Sequence, residues 1–133
     1  METSLKTPST SPAAESSHSA AGTHLLAELN GCPSENLNDP AAIELKLVAA
    51  AKEAGATVVS SHFHHFSPQG VSGVIIISES HITLHTWPQL GYAALDVFTC
   101  GHPELPAKVT EQVRIALGAL YTKTKTVTRG PAI

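Results

Sequence analysis

Basic blocks, long apolar runs and paired-cysteine spacings are all missing from this chain. Eight Lys and Arg stand against eleven Asp and Glu, a net charge of −3 with neutral histidine. No stretch clusters cations densely enough to neutralise a run of phosphates, so nucleic acid is not an expected partner. The one apolar run of note, Val74 to Ile77, is far too short to span a bilayer. The Ser/Thr/Pro-rich N-terminus has no apolar core of the kind a signal peptide needs, so the expected location is cytoplasmic, with no membrane partner. The two cysteines, Cys32 and Cys100, are expected as free thiols in a reducing compartment. At 133 residues the chain suits one domain with a tail.

What is present begins with a polar segment. Residues 1–22 are rich in small and polar side chains without hydrophobic period, which predicts a disordered tail ahead of a single domain over 23–133. HLLAEL fits a first strand. Asp39 can cap a helix, Pro40 suits its first turn, and Ile43, Leu47, Ala50 and Ala54 recur at helical spacing up to Gly55, which predicts a helix over 40–54. TVVSSHFHHF, VSGVIIIS, HITLHTW and YAALDVFT then read as four consecutive strands separated by turn residues. Val109, Val113, Ala116, Leu117 and Leu120 mark a second helix, and KTKTVT a last strand. Adjacent strands flanked by two helices predict an α+β two-layer sandwich, an antiparallel sheet with helices on one face.

Eight histidines are the unusual feature of the composition. His62 and His64 share a strand face by the two-residue period, as do His81 and His85, so two strands could each offer a metal a pair of ligands. No His-Glu-x-x-His or Cys-x-x-Cys frame accompanies them, which favours structural or substrate-facing roles and no metal. No G-x-S-x-G elbow surrounds Ser72, Ser78 or Ser80. Taken singly, Cys100 reads as a small buried hydrophobe, and Asp96 as a charge wanting a partner or a solvent face.

Together, these segments carry a resemblance. Phe63 to Gly101, with ESH, HTWP, GYAA and FTCG in order, resembles the core signature of the prokaryotic-type, pyruvoyl-dependent S-adenosylmethionine decarboxylase proenzymes. HLLAEL followed by Cys32 fits the same family upstream. The resemblance implies that the backbone reacts: the Ser80 hydroxyl attacks the carbonyl of Glu79, the amide becomes an ester, and β-elimination cuts the chain. Cleavage would leave a β chain ending at Glu79 and an α chain whose covalent cofactor, a pyruvoyl group, derives from Ser80. It further implies His85 as proton acceptor in processing, with Ser72 in support, and Cys100 as proton donor in decarboxylation. Phe66 and Trp87 would hold the adenine and sulfonium of the substrate.

By the same resemblance the pyruvoyl ketone forms a Schiff base with S-adenosylmethionine and acts as the electron sink when carbon dioxide leaves. The product would be the aminopropyl donor of spermidine and polyamine synthesis, made by a homodimer of cleaved αβ units. Strand alternation puts positions 80 and 85 on opposite faces, so a bend around Ser80 is expected. A hairpin centred near Leu90 should bring Cys100 across from Ser80. Where the family usually carries a glutamate after HTWP, this chain has Gln89, which keeps a pyruvoyl-dependent decarboxylase of arginine or ornithine as an alternative. A non-processing binding domain is a third.

Overall fold

The computed structural model describes residues 21–132. The predicted tail over 1–22 therefore lies almost wholly outside the described residues, and Gly22 already belongs to the first strand. In chain order the elements are β1 (Gly22–Asn30), α1 (Pro40–Glu53), β2 (Thr57–His65), β3 (Val71–Ser78), β4 (Ser80–Trp87), β5 (Tyr92–Cys100), α2 (Leu105–Leu117) and β6 (Tyr121–Arg129). Short 3-10 turns at Ser34–Asn36 and Pro88–Leu90 complete the chain. The six strands form one sheet in the order β2-β3-β4-β5-β1-β6, with antiparallel neighbours throughout. Both helices lie on one face, so the two-layer α+β architecture stands.

Local chemistry explains the helix limits. Asp39 Oδ1 accepts from the amides of Ala41 and Ala42 at 3.0 and 3.3 Å, satisfying donors that the first turn of α1 leaves free. Pro40 costs nothing there, because its missing N–H would have no partner in the helix. At the far end of α2, Gly118 adopts φ +72°, where a side chain would be strained, and turns the chain out of the helix. Leu120, expected to prolong that helix, lies beyond it: its amide donates to the carbonyl of Asn30 and its side chain is exposed.

Alternation divides the sheet. Leu25, Leu29, Ile75, Ile82, Leu84, Leu95 and Val97 point to the helices and are buried with Ile43, Leu47, Val109, Val113 and Leu117. Each such side chain contributes roughly 1.5–3 kcal/mol by leaving water. The alternate positions of the same strands form the uncovered face. It carries His24, His62, His64, His81, His85, Ser72, Asp96 and Cys100, all half-buried or exposed. The core thus fixes the strand register, and the register fixes which reactive groups share the open face.

Candidate active site

The residues expected to form the site fall into two groups at opposite ends of β4. The first lies at the β3–β4 turn. Glu79 forms the turn and Ser80 opens β4, level with Ile77 on one side and Thr99 on the other. The Cys100 amide donates to the Glu79 carbonyl oxygen at 3.1 Å, on the very group that a Ser80 hydroxyl would attack. A hydrogen-bond donor at that oxygen draws electrons from the carbonyl carbon and accepts the negative charge that attack would place there.

The hairpin is one residue out of the expected register: Thr99, not Cys100, stands across from Ser80, and Cys100 aligns with Glu79 instead. The reason is the turn, in which Gly91 at φ +60° closes the Pro88–Leu90 segment and pairs Trp87 with Tyr92. A Cβ on Gly91 would meet the Cys32 carbonyl oxygen at 2.9 Å, so the close approach also selects glycine.

Around Cys100 the open face is polar. Burial pushes its thiol pKa up, the Glu79 carboxylate adds to that, and the Arg129 guanidinium opposes it. Arg129 lies over the Phe98 ring, 4.7 Å from its centroid, and 3.5 Å from His24 Nδ1. His24 Nε2 is 3.4 Å from Asp96 Oδ1, an electrostatic contact without hydrogen-bond geometry, while Thr83 donates to the other oxygen of Asp96 at 2.9 Å. Asp96 thus has both the partner and the partial exposure its charge requires. Burial foremost, then His24, lowers the pKa of His81.

The second group sits where β3 and β4 pair at Ser72 and His85. Ser72 Oγ and His85 Nδ1 are 2.7 Å apart, a hydroxyl–imidazole pair suited to moving a proton. Beside it opens a cavity of about 380 Å³, lined by Phe66, Gln69, Ser72, His85, Trp87 and Gln89 among others. All the expected substrate-binding residues are therefore together here. Trp87 stacks on Tyr92 with centroids 5.2 Å apart, and the Tyr92 hydroxyl donates to Glu28. That hydrogen bond, with burial and the Glu28 charge, pushes the phenol up to about 12.

The two groups do not meet within one chain. Ser80 and His85 are five residues apart on a continuous strand, roughly 16 Å at ~3.3 Å per residue. The expected turn is present at Glu79, but strand pairing resumes at Ser80 itself, so no bend brings His85 back to it. Glu28, Tyr92, Gln69 and Asn38 were not singled out from sequence. For Glu28 a signal existed in the period-two alternation of β1; Asn38 belongs to a loop and offers no such pattern.

Among the described residues no group of three or more His, Cys, Asp or Glu is placed to hold a metal ion, and no helix is long and apolar enough to cross a membrane.

A sheet covered on one side, bearing its serine, histidine and cysteine on or beside the other, defines an enzyme of the two-layer α+β sandwich class. Within that class the chain belongs to the S-adenosylmethionine decarboxylase family, whose sequence model matches residues 23–130. An S-adenosylmethionine decarboxylase proenzyme of Carboxydothermus hydrogenoformans is 51% identical over 111 residues, 84% of this chain and 87% of the relative. One from Caldicellulosiruptor saccharolyticus is 52% identical over 111 residues, 84% and 90% of the two chains. The crystal structure of the adenosylmethionine decarboxylase from Aquifex aeolicus superimposes with a TM-score of 0.79 at 33% identity, covering 86% of this chain and 95% of that one.

Proposed function

We propose that this chain is a self-processing S-adenosylmethionine decarboxylase, cut between Glu79 and Ser80. The observation that carries the processing site is the Cys100 amide on the Glu79 carbonyl, at a strand-opening serine. Attack by Ser80 Oγ on that carbonyl carbon transfers the acyl group from nitrogen to oxygen and frees the Ser80 amine. Removal of the Ser80 α-proton then expels the Glu79 carboxylate, and water converts the remaining dehydroalanine to a ketone with release of ammonia.

Ser80 fits that origin, since it is half-buried rather than packed in the core and its β-carbon bears the hydroxyl that must both attack and leave. A pyruvoyl group formed there would supply a ketone able to take the substrate amine and to withdraw the electrons released with carbon dioxide. Residues of its own turn and, from a second copy, those of the cavity would bind and move protons around it. Cys100 holds the proton that replaces carbon dioxide, a role its raised pKa supports because the thiol stays protonated at neutral pH. Phe66 and Trp87 offer aromatic faces to the nucleoside and its sulfonium, and Gln89 offers an amide at the same cavity.

Because His85 lies far along β4 from Ser80, with Ser72 beside it on β3, the base that takes the Ser80 proton comes from a second copy. Two open faces packed against each other in antiparallel fashion would bring the His85 end of one chain to the Ser80 end of the other. That arrangement also covers the uncovered face.

The arginine or ornithine reading rests on Gln89 alone, and the relatives favour the nucleoside substrate. The test of processing is intact mass under denaturing conditions. Two chains are expected, Met1 to Glu79 and a 54-residue chain from position 80 to Ile133 that reacts with a carbonyl reagent. Ser80→Ala should stay whole. A parent protein that remains a single chain on long incubation would sink both decarboxylase readings and leave the binding domain.

A further inference from the structure

We propose that Asn38 is a positioning residue for substrate binding, holding the Phe66–Gly70 loop that walls the cavity; the inference rests on the reading of Phe66 as a substrate contact. The loop joins β2 to β3 and is closed on itself by the Phe66 amide, which donates to the Gly70 carbonyl at 2.8 Å. That bond sets the loop's shape but not its place. Its place is set from outside. Asn38 Oδ1 accepts from the Gly70 amide at 2.9 Å and lies 3.0 Å from His65 Nε2, so one oxygen fastens the residues on both sides of the loop.

The hydrogen-bond inventory fixes the roles. A backbone N–H can only donate, so the Asn38 atom facing Gly70 is its oxygen, and the His65 nitrogen that shares it must carry a proton. Asn38 is itself anchored on both sides along the chain. Thr86 Oγ1 donates to the Leu37 carbonyl at 2.7 Å and accepts from the Val71 amide at 2.9 Å, while Asp39 caps α1. The position of the Phe66 ring is thus referred to the start of the helix and to the middle strands. Gly70, at φ +108°, completes the fit, since a Cβ there would meet the Thr86 carbonyl oxygen at 3.2 Å.

Without the Asn38 oxygen the loop keeps its closing bond but loses its fixed distance from Trp87, so binding should weaken while the proton-moving groups stay in place. The test compares cleaved full-length variants for S-adenosylmethionine decarboxylation and for completeness of cleavage. Asn38→Ala is expected to raise KM about tenfold, the loss of roughly one well-made hydrogen bond. Its kcat and cleaved fraction should stay within about twofold. Asn38→Asp keeps an acceptor for both donors and should return KM to within about threefold of the parent.

Should Asn38→Ala fail to fold, His65→Ala removes one of the two bonds from an exposed position and should raise KM about threefold. Unchanged KM in these variants, no rescue by aspartate, or a joint fall of kcat, cleavage and Tm would each overturn the assignment. Phe66→Ala separates the two levels. If it raises KM while the Asn38 and His65 variants do not, the positioning role alone falls; if it too leaves KM unchanged, the loop is no substrate wall and both readings fall.

Discussion

At the scale of the residue, Cys100 meets the proposed processing site with two separate parts. Its backbone amide contacts the Glu79 carbonyl, and its side chain lies on the open face beside the same turn. Cys100→Ala keeps the first and removes the second, so self-cleavage should proceed while kcat falls about a hundredfold or more, the usual weight of a placed general acid. Turnover within threefold of the parent would remove the thiol from the mechanism. Tyr92 makes a second separable case. Its phenol, held protonated by Glu28, ionises at about 12 against an ordinary value of 10.0. A group that keeps its proton longer in the folded chain adds stability below pH 10, and that stability is lost as pH rises from 10 towards 12. In a Tyr121→Phe background the phenolate absorbance of Tyr92 should therefore appear near pH 12, and Glu28→Ala should bring it down. No shift on that substitution would show that the hydrogen bond is not the cause. Neither Cys100's register nor Tyr92's partner follows from local sequence, because both depend on which strand lies alongside.

At the scale of the element, α1 was legible and the β4–β5 hairpin only nearly so. The helix follows from nearest neighbours: Asp39 and Pro40 begin it, and Ile43, Leu47 and Ala50 give it one buried stripe. Asp39→Ala should lower unfolding free energy by about 1 kcal/mol, read as a lower denaturant midpoint at an unchanged slope. No change in midpoint would mean that another group satisfies the first-turn amides. The four middle strands were likewise visible from their β-branched runs and the turns between them. Leu120 misled because its spacing continued the helical period, whereas Gly118 had already turned the chain away. The hairpin was displaced by one residue because its register depends on the left-handed Gly91 and its contact with Cys32, a residue distant in sequence. In a sheet one residue decides the face, and here it decides whether Cys100 or Thr99 aligns with Ser80.

At the scale of the whole molecule, the separation of the Ser80 and His85 ends of β4 is what the proposed mechanism has to bridge. If the site is shared, Ser80→Ala and His85→Ala should each be inactive alone, and co-expression should restore roughly a quarter of parental activity, since random pairing makes half the dimers mixed with one complete site in each. A mixture as inactive as its components would return His85 to its own chain and require a different path for the proton. By itself the sequence determined the element order and the α+β class and singled out the residues proposed to react, because those rest on local periodicity, capping and a motif within a single stretch of chain. Only the tertiary structure decided the strand order that inserts β5 between β4 and β1, the one-residue register at Glu79, the fastening of the Phe66 loop by Asn38, and the distance between Ser80 and His85. Each of these is set by contacts between residues remote in sequence, and a strand that is continuous in sequence holds its two ends apart in space.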